Sequence, residues 1–168
     1  MLNKKIEDAL NEQINAEMWS SYLYLAMSLD FDNKGLKGVA NWFRVQYQEE
    51  QAHALALIDY LIARGGRVVL KPIAEVPTEW ADAREAFNQT LVHERKVTSL
   101  IHNLYAMAED EKDFATRQKL NTFVAEQVEE EDTVRQIIDD LNLVGNDGVG
   151  LFQLDRELAQ RQFVAPTL

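Results

Sequence analysis

Glu50 and His53 stand three residues apart in the run Gln48-Glu49-Glu50-Gln51-Ala52-His53. Residues at i and i+3 share one helix face, so this carboxylate and imidazole can reach one metal ion together. The chain repeats their setting. Glu17 lies 33 residues before Glu50, and Glu94 lies 33 before Gln127. A single offset of 77 carries Glu17 to Glu94, Glu49 to Glu126, Glu50 to Gln127 and His53 to Glu130. Two halves of the chain thus present the same kind of polar cluster in the same order, an arrangement able to clasp a pair of metal ions between helices.

Helices must position these residues, and the apolar pattern predicts five. The first spans about residues 3–31 and ends in Asp32-Asn33-Lys34-Gly35, a polar stop. The second spans about 36–64 and stops at Gly65-Gly66; so short a link makes the first two an antiparallel pair. Residues 65–82 hold Val68-Val69-Leu70, Pro72 and Pro77 and read as extended chain. Asp82-Ala83-Arg84-Glu85 has the form of a capping box opening a third helix to about 110. A fourth follows over about 114–143, and a short fifth over about 149–162. Eighteen extended residues reach roughly 59 Å, whereas 28 helical residues span roughly 42 Å. The linker can therefore run the length of the bundle and leave the second and third helices parallel. The expected fold is all-α: one domain over residues 1–168, a four-helix bundle with a long crossover between helices two and three and a short C-terminal fifth helix.

Each long helix has an inward stripe at helical spacing: Leu10, Ile14, Glu17, Ser21, Tyr24 and Phe31; Phe43, Gln46, Glu50, His53, Leu57 and Tyr60; Phe87, Leu91, Glu94, Val97, Ile101 and Leu104; Leu120, Phe123, Gln127, Glu130, Val134, Ile137 and Leu141. All four are interrupted near the middle by polar or ionisable residues. Desolvating one ionised carboxylate costs several kcal/mol, and like charges add repulsion. Glu17, Glu50, Glu94 and Glu130 in one layer would together exceed a domain's stability of about 5–15 kcal/mol. No stripe carries Arg or Lys, so cations are the remaining counter-charge, and hard oxygen ligands with one imidazole suit them. Glu50 is the natural bridge, with Glu17 and His53 at one ion and Glu94 and Glu130 at the other. Such a site with open positions suits Fe(II) and oxygen.

Bulk properties narrow the alternatives. The net charge of −11 argues against a nucleic-acid partner. With no cysteine, disulfides, iron–sulfur ligation and thiol chemistry are excluded. The N-terminal residues lack a signal-peptide core, and no apolar run is long enough for a membrane span, so the expected address is cytoplasmic.

Over essentially its whole length the chain resembles the bacterial non-haem ferritins. The resemblance implies a ferroxidase and iron-storage protein that oxidises Fe(II) with O₂ or peroxide. It implies Glu17, Glu50 and His53 at one iron and Glu50, Glu94 and Glu130 at the second, with Gln127 bonded to bound water or oxygen. Glu49, Glu126 and Glu129, with Glu130, match a third iron site. Tyr24 matches a tyrosine beside the centre that supplies an electron. The fifth helix would pack about the fourfold axes of a hollow shell of 24 subunits. Two departures matter. Gln127 and Glu130 stand where a symmetric motif has Glu and His, which makes iron at the second position transient. Gln51 occupies the place of the haem-ligating methionine of bacterioferritins, so no haem is expected. Two other readings remain: a rubrerythrin-like di-iron peroxidase, disfavoured by the lack of cysteine, and a helical assembly with a purely structural metal.

His93 lies about 100° round the helix from Glu94 and is expected to face outward. His102 has no partner pattern. Trp19, Trp42 and Trp80 read as packing or subunit contacts.

Overall fold

A computed structural model of the chain describes residues 2–168, and the described residues contain helices and no strand. In order these are α1 (Lys4–Asn33), α2 (Lys37–Ala63), α3 (Ala83–Asp110), α4 (Phe114–Val144) and α5 (Gly148–Leu158). No helix among these residues is long and apolar enough to cross a membrane.

Local chemistry sets the helix ends. The Asn3 side chain accepts from the Lys5 N–H, and Asp113 accepts from the Thr116 N–H, each satisfying an orphan donor of a first turn. At α3 the expected capping box forms with a one-residue offset. Asp82 accepts from the Glu85 N–H at 2.8 Å, while Glu85 reaches back to the Ala81 N–H at 2.6 Å. Gly35 and Gly65 follow α1 and α2 at φ +80° and +73°, the left-handed conformation that ends a helix without Cβ strain.

The crossover runs along α1 from its beginning to its end, and one stripe of α1 holds it there. The Arg67 N–H donates to Glu7, and Asn11 donates to the Arg67 carbonyl while accepting from the Val69 N–H. Asn15 donates to the Pro72 carbonyl at 3.3 Å and Trp19 to the Glu75 carbonyl at 3.4 Å. Near the far end, Asp30 accepts from the Trp80 N–H. Glu7, Asn11, Asn15 and Trp19 recur every four residues, about 6 Å of helix, while the crossover positions that they hold advance two to three residues per step, so this part of the crossover is less than fully extended. The ladder gives a loop without regular structure a fixed register. It also delivers α3 beside the end of α1, so α3 is parallel to α2, as its length allows.

The interior is layered. One apolar cluster, toward the α1 C-terminus, contains Phe31, Phe43, Trp42, Phe87, Trp80 and Leu141; the other contains Ile6, Leu10, Leu57, Leu61, Ile101 and Phe123. Between them, α1–α4 contribute a buried polar layer: Glu17, Gln46, Glu50, His53, Glu94, Gln127 and Glu130. Phe43 stacks on Phe87 with centroids 5.0 Å apart and meets Trp42 edge-on at 5.1 Å, closing one side of that layer.

The short α5 docks on the start of α2. Gly38 makes this possible, since a Cβ there would sit 1.5 Å from the Asp155 carbonyl oxygen. The Asp155 side chain then accepts from the Val39 N–H at 2.9 Å. The fifth helix ends at Leu158, short of the expected 162. Asn41 captures the carbonyls of Leu158, Ala159 and Arg161 and turns the chain away. A helical pattern continues through Gln162, but these tertiary hydrogen bonds override it.

Candidate metal centre

Each helix supplies its polar residue from the middle of a largely apolar stripe, so the cluster is buried at the centre of the bundle. Glu17 and Glu94 are fully buried, and Glu50 and His53 are nearly so. Glu17, Glu50 and His53 each present one ligand atom, and the three atoms lie within 4.8 Å of one another. His53 Nδ1 lies 3.5 Å from Glu50 Oε2, too far and too poorly aimed to satisfy it. Glu17 Oε2 and Glu50 Oε2 are both buried, and no amide, hydroxyl or guanidinium donor reaches them; a proton on Glu17, shared with Glu50, is all that the protein can offer them. Such oxygens are costly unless something cationic completes them.

Amides tie several of the other oxygens. Gln13 donates to Glu17 Oε1 at 2.8 Å. Gln46 donates to Glu130 Oε2 at 2.8 Å and, more weakly, to Glu50 Oε1 at 3.4 Å, spanning the two halves of the cluster. Gln127 donates to Glu94 Oε2 at 3.1 Å and lies 3.2 Å from Thr98, whose hydroxyl donates to Glu131. The Tyr24 hydroxyl donates to Glu94 Oε1. Gln127, expected beside bound water or oxygen, thus holds Glu94 directly in this structure.

Electrostatics follow from burial and crowding. Desolvation, then the charge of Glu50, pushes Glu17 up to about 8. Glu50 is raised well above the usual carboxylate range by burial and by Glu94 and Glu130, and Glu94 is raised by burial and Glu130. Burial and the adjacent Glu94 also push the Tyr24 phenol up. Protons stand in for counter-charge when no cation is present.

Glu49, Glu126, Glu129 and Glu130 gather with His53 around a polar cavity of about 360 Å³ beside this layer. Burial lifts Glu49 to about 7 against the opposing pull of Arg161, and lifts Glu126 as well. Glu129 is exposed.

His93 corrects an expectation. It does not face outward: its Nε2 lies 2.8 Å from the Ser20 hydroxyl, and its ring sits 5.2 Å from Trp19 and 6.0 Å from Tyr24. The 100° displacement from Glu94 takes it out of the metal layer and into the groove between α3 and α1. His102 is exposed. Trp42 and Trp80 are core residues, and Trp19 ties the crossover.

Sequence reasoning about ligands passed over Gln13, Gln46 and Arg161. The two glutamines carried a signal: each stands four residues before its Glu, and they are themselves 33 apart. The repeat therefore includes the amides that orient the carboxylates. In the other half the same offset of 77 finds Thr90 and Phe123. Arg161 carried no such signal, because only folding brings it to Glu49, 112 residues earlier.

Comparison with known proteins agrees with this architecture. The family model for the ferritin-like domain matches residues 7–144. A bacterial non-heme ferritin of Bacteroides fragilis is 46% identical over 161 residues, covering 96% of this chain and all of that protein. One from Staphylococcus saprophyticus is 39% identical over 163 residues, covering 97% and 98%. Among solved structures, an open pore ferritin of the archaeon Archaeoglobus fulgidus superposes with a TM-score of 0.95 at 49% identity, covering 96% of this chain and all of that one. The four-helix architecture, its crossover and a match spanning most of the chain together establish that this protein belongs to the ferritin family.

Proposed function

We propose that this protein stores iron, oxidising Fe(II) at the buried carboxylate layer and depositing the ferric product as oxyhydroxide inside a multi-subunit shell. The observation that carries the reading is the pair of buried oxygens, Glu17 Oε2 and Glu50 Oε2, that receive no donor from any amide, hydroxyl or cationic side chain and lie with His53 within reach of one ion. A structural role for the acids would leave these atoms satisfied by protein donors.

Iron here is substrate. Glu17, Glu50 and His53 take one Fe(II); Glu50, Glu94 and Glu130 take the second. Two Fe(II) supply two electrons, which with two protons reduce O₂ to hydrogen peroxide; peroxide can serve as oxidant in turn. Gln13 and Gln46 fix the orientation of Glu17 and of Glu50 with Glu130, so little reorganisation accompanies binding. Tyr24, hydrogen-bonded to Glu94, is placed to act when that peroxide is reduced in turn. A third Fe(II) and the phenol each give one electron, and two protons, one of them the phenol's passed to Glu94, complete two waters. The second position has Gln127 where a stronger ligand could stand, and its amide engages Glu94 instead of presenting a free donor atom to metal. That half releases iron readily, through Glu130 toward Glu49, Glu126 and Glu129, which form a third iron position. Storage requires such passage.

Adding Fe(II) in air tests the reading. Oxidised iron well above two per chain, co-eluting with protein of about 460 kDa (24 copies of 19.3 kDa), is expected. Glu50→Ala and His53→Ala should abolish the fast oxidation phase while the particle still assembles. Two tightly retained irons without mineral, or unchanged kinetics in both variants, would refute it.

A further inference from the structure

Arg161 follows α5 and is pinned from three sides. Its Nη2 donates to Glu49 Oε2 at 2.5 Å, and its Nη1 donates to the Trp42 carbonyl at 3.3 Å. The guanidinium lies 4.4 Å from the Trp42 ring centroid, a cation–π arrangement. Asn41 anchors the backbone beneath it, donating to the Leu158, Ala159 and Arg161 carbonyls. Residues 164–167 then continue along the same polar cavity that Glu49, Glu126, Glu129 and Glu130 line. Arg161 is the one Arg or Lys among the residues lining that cavity.

We propose that Arg161 is a built-in counter-cation for Glu49, so that a metal ion gains the Oε2 atom of Glu49 as a ligand only by displacing the guanidinium. The inference rests on reading Glu49, Glu126, Glu129 and Glu130 as the third iron position. A guanidinium keeps its charge throughout the working pH range, so it cannot yield by losing a proton; it must move. A divalent ion drawn to the remaining carboxylates meets both the repulsion of Arg161 and a Glu49 oxygen already engaged. Binding at the third position is therefore weaker than the carboxylate count alone implies, and this position fills after the pair. When displaced, Arg161 retains the face of Trp42, so its release is local and reversible. The device keeps the acidic cavity compact between arrivals of iron without a resident metal.

Calorimetric titration of the apo, assembled protein with Zn(II), a redox-inert divalent probe, tests this without reference to oxidation. In the unmodified protein we expect two ions per chain to bind tightly and a third more weakly. Glu126→Ala/Glu129→Ala should remove the third phase and so assign it. Arg161→Ala should tighten the third ion on the order of tenfold, and Arg161→Lys, which keeps the charge, should leave it near the unmodified value. Hydrogen exchange over residues 159–168 should rise as the third equivalent is added. A third ion that binds equally or more weakly in Arg161→Ala, or tightens as much in Arg161→Lys, would overturn the proposal and make Arg161 a prop for Glu49. Two ions bound in every variant and never a third would overturn it together with the third position, leaving the pair intact. Loss of the first two ions as well would instead overturn the proposed function.

Discussion

Filling the paired site must expel protons, and their number is calculable. Burial and neighbouring acids hold Glu17 at about 8 and raise Glu50 and Glu94. A carboxyl with a value of about 8 is about nine-tenths protonated at pH 7. A ligand must shed its proton to bind metal. Glu94 is held at about 8 as well, so these two acids alone release about two protons per chain at pH 7 when both positions fill, where ordinary carboxylates would release about none. The sign is set: affinity rises with pH, and the overall constant for two ions grows about a hundredfold or more between pH 6 and pH 7. Zn(II) calorimetry in two buffers of different ionisation enthalpy counts these protons over the first two equivalents. Fewer than about half a proton per chain would refute the reasoning, because the buried acids would already be ionised in the apo protein.

Other consequences concern stability and docking. An acid whose folded-state value exceeds its unfolded one weakens the fold as pH rises, here from about 4.5 toward about 8 for Glu17. Glu17→Gln should therefore stabilise the apo protein by up to ~3 kcal/mol at pH 7, with the gain vanishing below about pH 4.5; equal melting shifts at pH 4 and 7 would contradict this. Gly38→Ala places a Cβ against the Asp155 carbonyl, so α5 should undock. Hydrogen exchange over residues 148–158 should rise sharply while α1–α4 stay protected. Asn11→Ala removes hydrogen bonds to Arg67 and Val69, and should cost about 1–3 kcal/mol. Its specific signature is faster exchange in residues 65–75, and uniform loosening of the whole bundle would argue against the α1 ladder.

Much of the site was legible in the sequence because helices convert spacing into direction. Glu50 and His53 had to share a face, and Glu17, Glu94, Gln127 and Glu130 had to interrupt apolar stripes at one depth. The 33-residue spacing put partners level within each antiparallel pair. The crossover was recognisable from Pro72, Pro77 and its length, although its register along Glu7, Asn11, Asn15 and Trp19 was not. His93 shows what helical angle alone leaves open. Angle on its own helix says where a side chain leaves the axis, not whether another helix waits there, and α1 supplies Ser20 and Trp19 at that place.

The sequence by itself thus determined which residue types line each helix, which faces must be buried, and that several acids demand a shared counter-charge. These follow from local periodicity and from the cost of desolvating charge, neither of which needs a partner's coordinates. Only the tertiary structure decided how those acids are satisfied: Gln46 joining Glu50 to Glu130, Gln127 engaging Glu94, two oxygens that no amide, hydroxyl or guanidinium reaches, and Arg161 laid against Glu49. Spacing marks Gln46 and Gln127 as level with their acids, but which oxygen each amide holds, and that Arg161 meets Glu49, depends on contacts of a few ångströms between residues that only the packed helices bring together.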